Sequence, residues 1–393
     1  MTVKSFVDTY YVERKGTASV KWDGLLNKFE KDDLLPLWVA DMDFKVPEVI
    51  QEKLMERINH GVFGYSFVED SYYEAFLTWQ KERHDIYLEK EWVRFTTGVV
   101  NSFNYIIQSM TEEKDSVLIL SPVYYPFFDA VNNNNRQLVE SKLVNIEGHY
   151  GVDFDDFEAK IIDNHVKIFL HCSPQNPVGR VWTQEELTQL FEICNRHGVQ
   201  VISDEIHQDF IQPGKKFISA LSLDEKFHSN LFVLTAPSKT FNLASLLHSH
   251  VIIPNEEKRQ LFDSYLDKGI GSTTSLMGMI ATEAAYRGGE EWLNELIEVI
   301  EFNFVLMKSK FAELLPEAVV TNKEATYLSW IDLSAYIEPQ EMQDMMENKA
   351  KIAIDYGEWF DQDSGSFIRI NLATSPENIE RAISQIASTI NNK

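Results

Sequence analysis

Four segments of this 393-residue chain carry polar or aromatic side chains directly after short apolar runs. SPVYYPF follows Val117–Leu120, SPQNPVG follows Val166–His171, DEIHQD follows Val199–Ser203 and APSKTFN follows Leu231–Thr235. Each apolar run predicts a buried β-strand. Ligands of an open α/β sheet bind beyond the carboxyl ends of its strands, so we expect these four groups of side chains to meet at one edge.

The side chains in these segments suit one flat, charged cofactor. Lys239 can act as a nucleophilic amine for a Schiff base, because burial and cationic neighbours favour the neutral form of a lysine. A buried Asp204 requires a cationic partner, such as a protonated pyridine nitrogen. Asn176 can donate to a phenolate oxygen, and Tyr124 can stack on a heteroaromatic ring. Each residue alone has a commoner role in a turn, a cap or the surface, but together they predict pyridoxal 5′-phosphate (PLP).

A phosphate group needs its own donors, and the segment TTGVVNSF offers them. Gly98 turns the chain so that the amides of Val99 and Val100 open a helix. Free amides at a helix N-terminus bind anions. The segment therefore predicts the phosphate end of the site.

The middle of the chain alternates such strands, including Ser249–Ile253, with amphipathic helices. One helix should begin after Thr183, where Glu186 completes a capping box, and end at Gly198. The predicted fold class is α/β, a large domain with a mostly parallel sheet followed by a smaller α+β domain. We place the N-terminal segment at 1–49, the large domain at 50–285 and the small domain at 286–393, with a long helix from about Glu290 to Leu315.

Composition excludes several classes of function. The chain has 61 acidic and 36 basic residues and a formal charge of −25, which disfavours nucleic acid and anionic lipid as partners. No apolar run is long enough to span a bilayer, and the N-terminus lacks the pattern of a signal peptide. Cys172 and Cys194 form neither a disulfide framework nor a metal spacing. We expect a cytoplasmic protein that acts on a small molecule.

Further segments resemble a known family over nearly the whole chain. They are KWDG at 21–24, WVADMDF at 38–44, AAYRGGEEWLNEL at 284–296 and YGEWFDQDSGSFIRINLA near the end. Together with SKTFN, they resemble the fold-type I PLP enzymes of the aspartate aminotransferase superfamily (aminotransferase class I/II). Within it they are similar to the cystathionine β-lyase or C–S lyase branch, the MalY/PatB type.

The resemblance implies a role for each matching position. Lys239 would bind PLP covalently and move the substrate Cα proton, Asp204 would hold the pyridine nitrogen, and Arg369 would bind the substrate α-carboxylate in a bidentate fork. The cofactor-binding positions implied in this way are Lys239, Asp204, Asn176, Tyr124, Gly98, Val99, Val100, Ser238, His207 and Tyr65. Asn176 also belongs to the substrate site. Tyr65 would reach the phosphate of a neighbouring subunit, which implies a homodimer with shared active sites.

Some positions depart from the superfamily pattern. Ser245 and Leu247 stand where a glycine and a basic residue are common, Ala236 replaces a hydroxyl residue, and His207 replaces a tyrosine. The phosphate site should therefore be less cationic than usual. His248 and His250 could begin a metal site, but no third ligand is evident nearby, and packing or surface roles are favoured.

The predicted reaction is β-elimination on a sulfur-containing amino acid, giving a thiol, pyruvate and ammonia. An aminotransferase is the first alternative, because both reactions begin with loss of the Cα proton. A regulatory protein that retains PLP is the second, although intact Lys239, Asp204, Asn176 and Arg369 favour catalysis. The substrate class is an amino acid, and no metal is expected.

Overall fold

The computed structural model describes residues 1–269 and 274–393. Its β-strands alternate with helices through the middle of the chain and cluster again near the end. They are β1 (Leu35–Pro36), β2 (Val93–Thr96), β3 (Ser116–Ser121), β4 (Gln137–Lys142), β5 (Val144–Ile146), β6 (His149–Gly151), β7 (Ile168–Cys172), β8 (Gln200–Asp204), β9 (Leu231–Thr235), β10 (Ser249–Ile252), β11 (Val319–Val320), β12 (Leu328–Asp332), β13 (Ile352–Ala353), β14 (Asp355–Tyr356) and β15 (Phe367–Asn371).

The helices cover both faces of the large sheet, and two long ones lie near the C-terminus. They are α1 (Val3–Tyr10), α2 (Val20–Asp23), α3 (Leu25–Phe29), α4 (Glu48–His60), α5 (Asp70–His84), α6 (Val99–Met110), α7 (Pro126–Asn133), α8 (Phe154–Asp163), α9 (Gln184–Arg196), α10 (Pro237–Thr240), α11 (Glu256–Leu266), α12 (Leu276–Gly288), α13 (Glu290–Leu314) and α14 (Pro376–Asn391). A π-helix spans Asp344–Ala350.

A seven-stranded sheet in the order β2-β10-β9-β8-β7-β3-β4 forms the centre of the molecule. Strand β10 runs antiparallel to both of its neighbours, and the other strands are parallel to one another. All residues of β3, β7 and β9 are buried, as expected for strands covered by helices on both faces. The predicted α/β class with a mostly parallel sheet is confirmed.

The five strands predicted from apolar runs are confirmed, with ends that differ by at most two residues. The prediction missed β2 and β4, which lie at the two edges of the sheet. Strand β4 (QLVESK) alternates exposed and buried positions and has few apolar residues. An edge strand is only half covered, so it does not need the continuous apolar run that revealed the inner strands.

A smaller antiparallel sheet, β11-β12-β15-β14, lies in the C-terminal part of the chain. Helix α13 covers 25 residues, as predicted, and packs along α14. The N-terminal residues contact this region: β1 pairs with β13, and the ring of Phe6 lies 5.9 Å from that of Trp292. The borders placed at residues 50 and 285 stay predictions. No helix within residues 1–269 and 274–393 is long and apolar enough to cross a membrane.

The capping box predicted at the start of α9 is present. The Thr183 hydroxyl accepts a hydrogen bond from the Glu186 amide at 3.1 Å, and the Glu186 carboxylate accepts one from the Thr183 amide at 2.9 Å. The helix then buries Leu187, Leu190 and Phe191 against the sheet. The chain leaves it through Gly198, which has a positive φ of 68°.

We expect Thr183→Ala to lower the free energy of unfolding by about 1 kcal/mol, because one helix-terminal amide loses its acceptor. Thr183→Ser is the matched control, since it keeps the hydroxyl and should stay close to wild type. Urea denaturation followed by circular dichroism measures both. Equal losses in the two variants would show that the hydroxyl is not the stabilising group.

Candidate active site

A cavity of about 190 Å³ lies at the edge of the large sheet where the parallel strands end. Because β10 is antiparallel, its first residues reach the same edge. The lining residues come from the segments singled out in the sequence and from a few others. They are Ala40, Thr97, Gly98, Val99, Val100, Asn101, Tyr124, Cys172, Asn176, Asp204, Ile206, His207, Ser238, Lys239, Ala244 and His248.

Lys239 lies in the short helix α10, directly beyond strand β9. Its Nζ donates to the Ala40 carbonyl oxygen at 2.7 Å. Burial lowers the pKa of Lys239 to about 8, although the carboxylates of Asp41 and Asp204 act in the opposite direction. Near neutral pH a usable fraction of this side chain is therefore a free amine, the form that attacks a carbonyl carbon or accepts a proton.

Asp204 is the last residue of strand β8, and its side chain is buried beside the same cavity. Burial raises the pKa of Asp204 to about 7, against a hydrogen bond from the Ile206 amide at 3.1 Å and the charge of Lys239. A cationic group in the cavity would offset the burial of this carboxylate. The protonated ring nitrogen of a pyridine has the required charge and donor.

The opening turn of α6 forms another wall of the cavity through Gly98, Val99 and Val100, with Ser238 nearby on α10. The N-cap residue of this helix is Gly98, which has no side chain to cap it. A Cβ at Gly98 would have no atom within 4 Å, so the backbone here faces open space. Uncapped amides beside open space can receive a phosphate, and the phosphate site stays a prediction.

Asn176 and Arg369 contact each other at the wall of the cavity. The Asn176 Oδ1 accepts from Arg369 at 3.1 Å, which leaves the Asn176 amide NH₂ as the donor toward a ligand. Arg369 lies on β15 of the smaller sheet, is only 2% exposed, and stacks its guanidinium over the Phe360 ring. The structure therefore brings Arg369 to the edge of the large sheet where the parallel strands end.

Of the remaining predicted site residues, two line the cavity and one lies outside it. Tyr124 lines the cavity, and burial raises its pKa, so its hydroxyl stays protonated. His207 also lines the cavity, and burial, with the charges of Lys239 and Arg369, lowers its pKa well below the ordinary range. Tyr65 is fully exposed and lies outside the cavity of its own chain.

The structure clarifies the departures noted in the sequence. Leu247 is half exposed and left-handed, with a φ of 54°, and of the described residues that line the cavity only Lys239 is a lysine or arginine.

His248 and His250 both contact the buried Tyr72 hydroxyl, His250 at 2.5 Å through Nε2. Within the described ranges, no three histidine, cysteine or acidic residues are grouped to hold a metal.

Sequence reasoning missed the part that residues 38–44 play in the site. The Ala40 carbonyl accepts from Lys239 and from the Tyr327 hydroxyl, at 2.7 and 2.8 Å. The Trp38 carbonyl accepts from Arg369 at 3.1 Å. These contacts use backbone oxygens, which every residue has, so no residue type at these positions could have revealed them.

A partly buried lysine and a buried carboxylate at strand ends, an uncapped helix start and an arginine from the smaller sheet define an enzyme of the PLP-dependent aminotransferase fold. The family comparison agrees, because residues 32–386 match the family of aminotransferases of class I and II. The chain belongs to this family.

Relatives over nearly the full length include two bacterial proteins. Cystathionine beta-lyase PatB of Bacillus subtilis is 38% identical over 380 residues, which cover 96% of this chain and 98% of that protein. Protein MalY of Escherichia coli is 31% identical, with 96% and 97% covered. The resemblance inferred from the sequence motifs is thereby confirmed.

Solved structures give the same result. Cystalysin from Treponema denticola, which contains a PLP cofactor, superposes with a TM-score of 0.94 at 35% identity and covers 98% of each chain. The PLP-bound C–S lyase of Staphylococcus hominis gives a TM-score of 0.89 at 32% identity, with 96% of each chain covered. The predicted transferase fold is confirmed.

We expect His248 and His250 to make the unfolding free energy depend on pH. Burial lowers the pKa of His248 to about 3 and that of His250 well below its ordinary range, so the folded chain keeps both neutral while the unfolded chain protonates them below about 6.5. Stability should fall by up to ~1.4 kcal/mol per pH unit per histidine between pH 6.5 and 5.

Denaturant unfolding at several pH values measures this slope. Replacing both residues with Asn should flatten it, whatever the change in stability at pH 7. His165→Asn is the control, because this exposed histidine has a left-handed backbone that Asn tolerates. The same slope in wild type and double variant would contradict the prediction.

Proposed function

We propose that this protein is a PLP-dependent carbon–sulfur lyase that performs β-elimination on sulfur-containing amino acids. The observation that supports it most is the placement of Lys239 and Asp204 in one buried cavity of a chain similar over its full length to cystathionine β-lyases. The family, the cofactor and the class of reaction predicted from the sequence agree with the comparisons.

The cavity fits PLP group by group. The uncapped amides of Val99 and Val100 and the Ser238 hydroxyl would hold the phosphate, and the Asp204 carboxylate would pair with the ring nitrogen. The Asn176 amide would donate to the phenolate oxygen, since its own oxygen is engaged by Arg369. Tyr124 and His207 would contact the ring.

Bound at Lys239, PLP supplies an electron sink that weakens the substrate Cα–H bond. With cofactor and substrate in place, the neutral amine of Lys239 would remove the Cα proton as general base. Arg369 holds the α-carboxylate, which fixes the Cα–H bond toward Lys239. In the overall reaction the Cβ–S bond would break, the sulfur would leave with a proton as a thiol, and one water would be consumed to give pyruvate and ammonia. Cystathionine and cysteine are the proposed substrates.

An aminotransferase remains the alternative to be tested, because it uses the same lysine for the same first step. Purified protein with cystathionine should form pyruvate at the same rate with and without an added keto acid. Loss of cystathionine that requires the keto acid and forms no pyruvate would indicate transamination. No turnover in either case would favour a regulatory protein that binds PLP.

We expect Lys239→Ala to abolish elimination and to lose the cofactor that borohydride traps on the wild-type protein. Lys239→Arg is the matched control, since it keeps a positive charge but cannot form the bond or act as a base near neutral pH. Both variants should show wild-type circular dichroism. Elimination at the wild-type rate in either variant would exclude the assigned role of Lys239.

The proposed active form is a homodimer with shared sites. The connection between α4 and α5 exposes Val62, Phe63, Tyr65 and Phe67, with Phe67 80% exposed. Exposed apolar groups this close together mark an interaction surface. Burial against a second copy would cover them, and Tyr65 would then contact the partner's phosphate group.

We expect Phe67→Asp to dissociate the dimer and weaken PLP binding, because the new charge would be buried in the interface. Ile146→Asp is the control, since Ile146 is 68% exposed on the separate β5–β6 hairpin. Sedimentation velocity gives the mass, and absorbance during PLP titration gives the affinity. A monomeric wild type, or an unchanged Phe67 variant, would contradict the proposed interface.

The proposed location is the cytoplasm. Cys172 and Cys194 are both free and buried, and burial raises the pKa of each thiol. Unpaired cysteines are ordinary in a reducing compartment.

A further inference from the structure

Arg369 has a buried carboxylate as its neighbour, a feature that the sequence analysis did not identify. Asp355 lies at the start of β14, directly opposite Arg369 of β15 in the antiparallel register. The two side chains form an ion pair between the Asp355 Oδ2 and an Arg369 terminal nitrogen. Asp355 is 1% exposed and Arg369 is 2% exposed. The arginine proposed to bind the substrate carboxylate therefore already has a counter-ion.

The hydrogen bonds of this pair are incomplete. Arg369 donates to Asn176 Oδ1, the Trp38 carbonyl and Asp355 Oδ2. Among the described residues, its Nε–H has no partner, and neither has the second oxygen of Asp355. A buried guanidinium with an unpartnered N–H can donate to another carboxylate.

A second carboxylate would change the charge balance around Asp355. Besides Arg369, the charges of Lys28 and Lys239 act on the pKa of Asp355. The charge of Asp355 in turn raises the pKa of Tyr124 and of Tyr125. Lys28 stacks on the Trp359 ring, 4.1 Å from its centroid. With substrate bound, two carboxylates would share one guanidinium in a site of low polarity, and like charges this close do not both stay ionised.

We propose that Asp355 is a positioning residue that takes up a proton when a carboxylate binds to Arg369. The proton comes from solvent and forms an O–H bond on the Asp355 side chain, and no other bond changes. Arg369 then faces one negative charge before and after binding. The inference rests on the proposed role of Arg369 in the lyase, and it identifies the group that adjusts the site to an anionic substrate.

The direction of the pH dependence follows from the protonation of Asp355. Burial raises the pKa of Asp355 to about 6 in the free site, while Arg369, Lys28 and Lys239 act to lower it. A bound carboxylate raises it further. Between the free and bound pKa values, affinity for a carboxylate should fall up to tenfold for each pH unit of increase, since one proton must be taken up with the ligand.

The test uses the holoenzyme and 3-(methylthio)propionate, a carboxylate with a thioether and no amine. Calorimetric titrations between pH 6 and 8 in buffers of different ionisation enthalpy give the protons taken up per ligand. Wild type should take up close to one proton at pH 7.5. Asp355→Asn should take up none on this residue, bind with little pH dependence, and bind tenfold or more tightly at pH 8, because the competing charge is gone.

Asp355→Glu is the matched variant, because it keeps an ionisable group and should keep proton uptake. The cofactor absorbance shows separately whether the Lys239 nitrogen gains a proton. Equal uptake in wild type and Asp355→Asn, uptake assigned to Lys239 alone, or no binding of the probe would each overturn the inference. Failure to form pyruvate from cystathionine, with Asp355-dependent uptake intact, would overturn the proposed lyase reaction and leave this inference standing.

Discussion

The burial of charged groups at one edge of the large sheet is the constraint on which the rest of the structure depends. Lys239 and Asp204 lose most of their contact with water, and this loss moves the pKa of each toward neutrality. An amine and a carboxylate in these states can exchange protons and bind charged ligand groups under ordinary conditions. A site on the protein surface would leave both groups fixed in their charged forms.

That burial requires parts of the chain that are far apart in sequence. Residues 38–44 cover the site from the N-terminal segment, and their carbonyl oxygens accept from Lys239, Arg369 and Asn371. The Asn242 side chain binds the Met42 and Phe44 backbone at 2.9 to 3.3 Å. Strand-end residues of the large sheet and Ala40 of the N-terminal segment line the cavity, and Arg369 of the smaller sheet contacts Asn176 beside it.

Much of this arrangement can be predicted from the sequence, because strand ends carry residue-specific chemistry. Asp204 ends strand β8, and Asn176 and Lys239 follow the buried strands β7 and β9. A parallel sheet brings such ends together by geometry alone. Contacts that depend on tertiary packing cannot be predicted in this way. Asp355 directly follows the short apolar run Ile352–Ile354, and only the antiparallel pairing of β14 with β15 places it opposite Arg369. Ala40 contributes a backbone oxygen and has no distinctive side chain.

The contact of Tyr72 with two histidines limits the tautomers that the two imidazole rings can adopt. The Tyr72 hydroxyl has one hydrogen, so it donates to either His248 or His250 and accepts from the other. Because burial keeps both rings neutral, each ring must adopt the tautomer that suits its place in the chain of bonds. The same heavy-atom positions therefore allow two opposite bond directions. The two tautomeric states have the same heavy-atom positions and differ only in which ring nitrogen atoms carry hydrogen.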